Sequence, residues 1–287
     1  MLINFNKEFE HVGNLDSFQL KDHLSLFKAF SRSSYIEESV CRMLDRLHAN
    51  PYFRLENFGG AGQAQGAPLY SYKNFSISIG YRTTETSMQS TLESGTGQRV
   101  VTPAYDQHST IIKTNGTCEW KKYVVPFYTD VSPLPSTSKL SQVGSDHVIE
   151  GTDFFIEAGR EIVTFEQFSG DMVYISAVGR PKFHVTPIFN RSNLSLRGMN
   201  CGDIKTSRIQ MFGKVLAHLG GSNALPALEE LSRHSHHFVR WSSIRNAICI
   251  DPKFGLKLAQ IAMNDIHPHV RLAANETLKC FDGTIWS

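Results

Sequence analysis

The sequence predicts an α+β protein: N-terminal helices, an antiparallel β-sandwich or barrel, and a C-terminal run of helices in repeat. Three observations carry this reading. Apolar residues recur at helical spacing in the first fifty residues, alternation takes over from Leu69 to about Met199, and an internal repeat follows Asn200. The expected divisions are 1–57 for the helical segment, 69–199 for the β domain and 203–283 for the repeats.

In the first segment, LDSFQLKDHLSLFKAF places Leu20, Leu24, Phe27 and Phe30 at helical spacing, with Asp16 or Ser17 as the N-cap. A second stretch, YIEESVCRMLDRLHAN, puts Ile36, Val40, Met43, Leu44 and Leu47 on one face. Asn50-Pro51 ends it, because the residue before proline is pushed out of the helical region.

Phe58 to Pro68, FGGAGQAQGAP, is loop by composition. It lacks the lysine–serine/threonine ending of a phosphate-cradling loop, so no nucleotide cofactor is expected. The next 130 residues or so hold short runs rich in Val, Ile, Tyr, Phe and Thr, among them YSYKNFSISIGYRT, STIIKTN, EIVTFEQF and DMVYISAV. Separated by Gly, Pro, Asn and Ser, such runs mark antiparallel strands. Ser132 to Ser145 reads as a long loop between strands.

After Asn200, TSRIQMFGKVLAHLGG reads as a helix stopped by Gly220-Gly221. Beyond it, Leu225 aligns with Leu256, Val239-Arg240 with Val270-Arg271, and Ser243 with Ala274, at a constant offset. Two helices per period, with a polar turn before a Val-Arg pair, resemble HEAT-type repeats. The inward faces expected are Val239, Ile244, Ala247 and Ile248 in one unit and Val270, Leu272, Ala273 and Leu278 in the next. The resemblance gives Arg240 and Arg271 the structural role of the arginine that opens the second helix. His234, His236, His237, His267 and His269 lie in the inter-helix turns without cysteine partners and read as solvated turn residues rather than a metal site.

Composition excludes several classes. Net charge is +2, from 29 basic and 27 acidic residues, so no basic field argues for nucleic acid, and none is expected as partner. Five scattered cysteines without CxxC spacing favour reduced thiols over a disulfide framework. The N-terminus carries acidic residues and no uninterrupted apolar run, and no apolar segment is long enough to span a bilayer. A cytoplasmic protein without membrane contact is the expectation.

Chemistry is sought in the β domain. His108 lies in AYDQHSTIIKTNG, where a loop enters a strand, and His184 lies in GRPKFHVTPIF, just after DMVYISAVG. An early D-x-H at a strand entrance and a late histidine on a distant strand resemble the cupin arrangement, and the sequence from Val100 to Met199 resembles a divergent cupin-like jelly roll. The usual H-x-H is Asp106-x-His108 here, and the proline–glycine turn of the late motif is not intact. The family glutamate would fall on Glu119; His147 is a further candidate ligand that otherwise reads as loop, and Glu157, Glu161 and Glu166 read as an outer face.

The resemblance implies Asp106, His108 and His184 as a two-histidine, one-carboxylate set, which suits non-haem Fe(II). Two readings follow. One is a cupin-type metal-dependent oxygenase acting on a small-molecule or amino-acid-like substrate. The other is a non-catalytic binding or scaffold protein, with a degenerate barrel and a HEAT-like surface that recognises a protein partner. Under the second reading His108 and His184 hydrogen-bond within the sheet and Asp106 caps a turn. Cupin-like barrels often pair through edge strands, so a homodimer is also expected. No GxSxG, HExxH or Cys-His pattern competes.

Overall fold

The computed structural model describes residues 4–50, 66–83, 99–129, 134–202 and 204–282. The chain forms two compact units, one of residues 1–128 and 134–202, the other of 129–133 and 203–287.

The first unit opens with α1 (Phe5–Gly13), capped by the Asn4 side chain, which accepts from the Lys7 N–H at 3.3 Å. A 3-10 turn over Leu20–His23 leads into α2 (Leu24–Ser31), and α3 (Tyr35–Ala49) follows. The helix expected from Asp16 or Ser17 thus starts later and is interrupted before Tyr35. At the interruption the Ser31 and Ser33 hydroxyls donate to the Lys28 and Phe30 carbonyls at 2.9 and 2.7 Å, local bonds that compete with helix continuation. α3 ends at Ala49, before Pro51. Its inner face is narrower than its periodicity suggested: Ile36 and Met43 are buried, but Leu44 and Leu47 are exposed.

Eleven strands follow among the described residues: β1 (Gly66–Ser71), β2 (Phe75–Thr83), β3 (Arg99–Val101), β4 (Tyr105–Thr114), β5 (Glu119–Val124), β6 (Ser141–His147), β7 (Asp153–Ile156), β8 (Glu161–Glu166), β9 (Asp171–Pro181), β10 (Val185–Asn190) and β11 (Leu196–Cys201). They form sheets of order β1-β2-β9-β4-β7, β6-β5-β8 and β11-β10-β3. The chain crosses repeatedly between sheets, and every described ladder is antiparallel. Strands distant in sequence pair in nested fashion, β2 and β4 with β9, and β5 with β8. This interleaved winding is a jelly roll. The Gly159 N–H, donating to the Pro103 carbonyl at 2.9 Å, ties the approach to β8 to the end of β3.

The five-stranded sheet is covered on both faces. Phe9, Phe27 and Phe30 of the helices pack with Phe75, Ile77, Ile175 and Ala177 on one side. On the other, Ile111, Met172 and Phe154 pack with Trp120, Val163 and Phe165. The segment read as a loop up to Ser145 instead contains the start of β6, since the backbone ladder to β5 does not require apolar side chains on an edge strand. Ser132 and Pro133, like Phe58 to Gln65, lie outside the described residues; Gly66 to Pro68 belong to β1.

The second unit is helical: α4 (Ile204–Gly220), a 3-10 turn over Gly221–Ala224, α5 (Leu225–Leu231), α6 (His237–Ile250), α7 (Pro252–Ala262) and α8 (Pro268–Asp282). Gly221 adopts φ +50°, the left-handed geometry expected of a helix stop. Leu228, Ile244, Ala247, Ala259, Val270 and Ala274 form the core, with Leu216 and Ala217 of α4 packed against it. Leu272 is exposed, and Ala274 is buried in the face it was expected to share. The two turns before α6 and α8 bond alike. The His236 N–H donates to Nδ1 of His234 at 3.1 Å, and the His267 N–H donates to Oδ1 of Asp265 at 2.7 Å, each two residues back.

No cysteine pair forms a disulfide. Among the described residues no helix is long and apolar enough to cross a membrane.

Candidate functional site

The site expected in the β domain rests on β4, so the face each of its residues presents decides the chemistry. Side chains alternate across a strand. Ile112 packs with the helices and the His108 ring centroid lies 6.5 Å from that of Phe27 on α2, whereas Ile111 packs in the core facing Trp120 and Phe165. His108, Thr110 and Ile112 therefore face the helical layer. Gln107, Ser109 and Ile111 face the inside of the jelly roll.

His108 is buried. Its Nε2 has no hydrogen-bond partner and stands 3.5 Å from Oδ1 of Asp153, too far for a good bond. Burial pushes its pKa down to about 4 against the opposing pull of Asp153, so the ring is neutral at physiological pH. The Asp153 oxygens are already engaged: Thr110 Oγ1 donates at 2.6 Å, Arg32 at 3.2 Å, and Lys28 Nζ lies at 3.3 Å. Burial alone would raise the Asp153 pKa, but the bonds from Thr110 and Lys28 outweigh it and hold the carboxyl below its ordinary value. This network ties α2 to the sheet.

Asp106 is also buried, at the strand entrance where the β4–β9 register slips between Tyr105 and Gln107. Its Oδ1 accepts the Ala158 N–H at 3.0 Å and its Oδ2 meets Lys182 Nζ at 2.6 Å. His184 is exposed, on the bend between β9 and β10, where its carbonyl accepts the Gly202 N–H at 2.7 Å. The three residues are not brought together: among the described residues, the one cluster of three or more His, Cys, Asp or Glu with converging donor atoms is elsewhere. Asp106 spends its oxygens on a lysine and a backbone amide, and His108 turns to the helices. The chain's own residues at these positions therefore do not fit an Fe(II) centre inside the roll. Glu119 pairs with His147 across β5 and β6 and does not complete a set. Glu161 and Glu166 pair with Lys122 and Lys121 at 2.8 and 2.6 Å.

The inward patch formed by Gln107, Ser109 and Ser176 is polar but neutral. Nε2 of Gln107 donates to Oγ of Ser109 at 2.9 Å and to Oγ of Ser176 at 3.3 Å, and the two serine hydroxyls are 2.6 Å apart. Ser109 pairs with Ser176 across β4 and β9, with Ser78 beyond it on β2. Amide and hydroxyl groups satisfy one another here. They are weak ligands for a divalent transition metal compared with imidazole or carboxylate.

Sequence reasoning missed the convergence of His237, His267 and His269 in the helical unit. A signal was present, since His236 and His267 hold matching positions in the two aligned stretches of sequence, each just before the helix that follows.

No protein-family model matches the sequence, and no curated protein does. Solved structures align with parts of the chain at low similarity. Hydroquinone 1,2-dioxygenase from Sphingomonas sp. TTNP3 is 9% identical, over 44% of this chain and 69% of that one, with a TM-score of 0.27. A double-stranded β-helix protein from Klebsiella pneumoniae is 12% identical, over 46% and 86%, with a TM-score of 0.24. An oxalate oxidase is 12% identical, over 68% and 80%, with a TM-score of 0.23. The jelly-roll assignment stands on the strand order of this chain itself.

Proposed function

We propose that this chain is a non-catalytic binding protein, a cupin-like jelly roll that has lost the metal-holding inner face, joined to a short HEAT-like array that recognises a protein partner. One observation carries the reading: the inward positions of β4 and β9 hold Gln107, Ser109 and Ser176, bonded to one another, while the D-x-H pair is committed to Lys182, Ala158 and the helical layer. The array supplies apolar surface for a partner, because Met211, Phe212, Val215 and Leu219 of α4 are exposed. Association of two copies is best sought at β6, the exposed edge of its sheet.

The test is iron. The full chain is expressed with Fe(II), purified anaerobically and compared with His108→Gln and His184→Ala for bound iron and oxygen uptake. The expected result is no iron whose retention depends on either residue. One equivalent of iron lost in either folded variant, with oxygen uptake lost alongside, overturns the proposal in favour of a cupin-type Fe(II) oxygenase with a small-molecule substrate.

A further inference from the structure

The two stacked turns of the helical unit hold three imidazoles in one place. His237 is the first residue of α6, and His267 and His269 flank Pro268 at the start of α8. The His237 and His267 rings are parallel, 3.6 Å apart between centroids, and the His269 ring stands across them at 76° to both, 5.9 Å from His237 and 4.9 Å from His267. One donor nitrogen from each lies within 4.8 Å of the others. All three are half-buried. We propose that His237, His267 and His269 form a binding site for a late first-row divalent transition metal, of which zinc is the representative.

Three features support it. The first is an unmet need: Nε2 of His269 is buried and has no hydrogen-bond partner. An orphaned buried nitrogen is costly, and a metal ion would satisfy it. The second is the donor set. Three imidazoles and no oxygen donor suit zinc and its neighbours, whereas calcium and magnesium take oxygen ligands. Three protein ligands also leave one position open for water or an exogenous group.

The third is a rigid support. Asp265 Oδ1 accepts the His267 N–H, and both Asp265 oxygens are held by Arg240, through Nε at 2.8 Å and Nη2 at 2.5 Å. Arg271 Nη1 clamps the carbonyls of Asp265 and Ile266 at 2.7 and 3.1 Å. The backbone carrying two of the ligands is thereby fixed from both repeats, as a metal site requires. Asp265 also offsets the Arg240 charge beside the cluster.

Donors on a tetrahedral zinc stand roughly 3.3 Å apart, given the usual Zn–N length. Closing from the present separation needs rotation of the imidazoles out of the His237–His267 stack. The His269 N–H donates to Nδ1 of His267 at 3.3 Å, and ligation through Nε2 of His267 would place a proton on Nδ1 and give up this long bond. Metal binding therefore has its own signature, a change of His267 tautomer readable by imidazole nitrogen NMR.

The competing explanation is that the rings only stack to pack the turns. Zinc titration of the chelator-treated full chain by calorimetry, and Co(II) titration followed by visible d–d absorption, separate the two. The expected result is one equivalent per chain, tetrahedral Co(II) bands, and affinity lowered by more than about 100-fold in His269→Ala, beyond the range of outer-shell changes. His237→Phe keeps an aromatic ring and removes the nitrogen. It should lose the metal while remaining folded by circular dichroism, and His218→Ala, on an exposed position of α4, should bind as the parent does. Binding unchanged in His237→Phe, or no stoichiometric zinc in the parent chain, overturns the site. Zinc lost in His108→Gln but retained in His237→Phe would place the metal in the β domain instead, and would count against both this site and the non-catalytic barrel.

Discussion

Arg240 of α6 and Arg271 of α8 make the same pair of bonds: each donates Nη1 to the carbonyl oxygens six and five residues upstream, His234 and Ser235 in one case, Asp265 and Ile266 in the other. Arg240 alone reaches further, to the Asp265 carboxylate, so α6 grips the turn before α8. Side chains of both partners are nearly buried. Arg240→Ala should cost about 3–5 kcal/mol, because it strands a buried carboxylate. Arg271→Ala, which loses only neutral acceptors, should cost about 1 kcal/mol. Urea unfolding of the two variants checks this, and equal losses would contradict the clamp.

Asp106 should behave as a structural anchor. Asp106→Ala leaves the buried Ala158 N–H unpaired and should destabilise by about 2–3 kcal/mol. Asp106→Asn retains an acceptor for that amide and should recover part of the loss. Lys182 is partly exposed and can return to water in either variant. Thermal unfolding with bound-metal analysis tests it. An intact fold with altered iron content would return Asp106 to the ligand set.

Acid should weaken the fold through His108. Its folded pKa, about 4, lies below the ordinary 6.5, so between these values the unfolded chain binds more protons and stability falls as pH falls. His108→Gln should flatten the stability curve between roughly pH 6.5 and 4, the difference amounting to on the order of 2 kcal/mol. His237 acts in the same window and the same direction, so the parent's slope should be reduced and not abolished. Asp153, whose pKa is depressed, also stabilises above its ordinary value and loses that contribution on protonation at still lower pH. Denaturant titrations at stepped pH measure the difference, and superimposable curves would sink the assignment.

Gly159 sits at φ +67°, and a Cβ there would fall 2.5 Å from the Phe183 ring. Gly159→Ala should destabilise by more than about 1 kcal/mol, since conformational strain and a clash combine. Scanning calorimetry of the variant checks this. Gly151→Ala, also at positive φ but with open space around it, isolates the backbone contribution and should cost less.

Much of the architecture was legible. Val239, Ile244 and Val270 declared the packed face of the tail through helical spacing, and Ile175 and Ala177 alternate with Tyr174 and Ser176 along β9 as a strand should. The orientation of β4 was not legible. Both its faces are covered, so His108, Ser109 and Thr110 are all buried and the polar alternation that distinguishes inside from outside is missing. The histidine cluster showed only in the matching positions of His236 and His267, because proximity between turns depends on how the helices stack and leaves no trace in the spacing within either turn. α1 is a third case: only nine residues long, it is held by Phe5 and Phe9 against distant aromatic rings.

The nested pairing of the jelly roll has a consequence for how the chain is made. β2 (Phe75–Thr83) has its long ladder with β9 (Asp171–Pro181), so the main sheet cannot close until nearly a hundred further residues have left the ribosome. Through that interval β2 and β4 have apolar residues and open edges without their central strand. The helical unit, whose contacts are mostly between successive helices, emerges afterwards and can fold at once. Translation speed between β4 and β9 should therefore govern the yield of soluble chain more than any event in the tail.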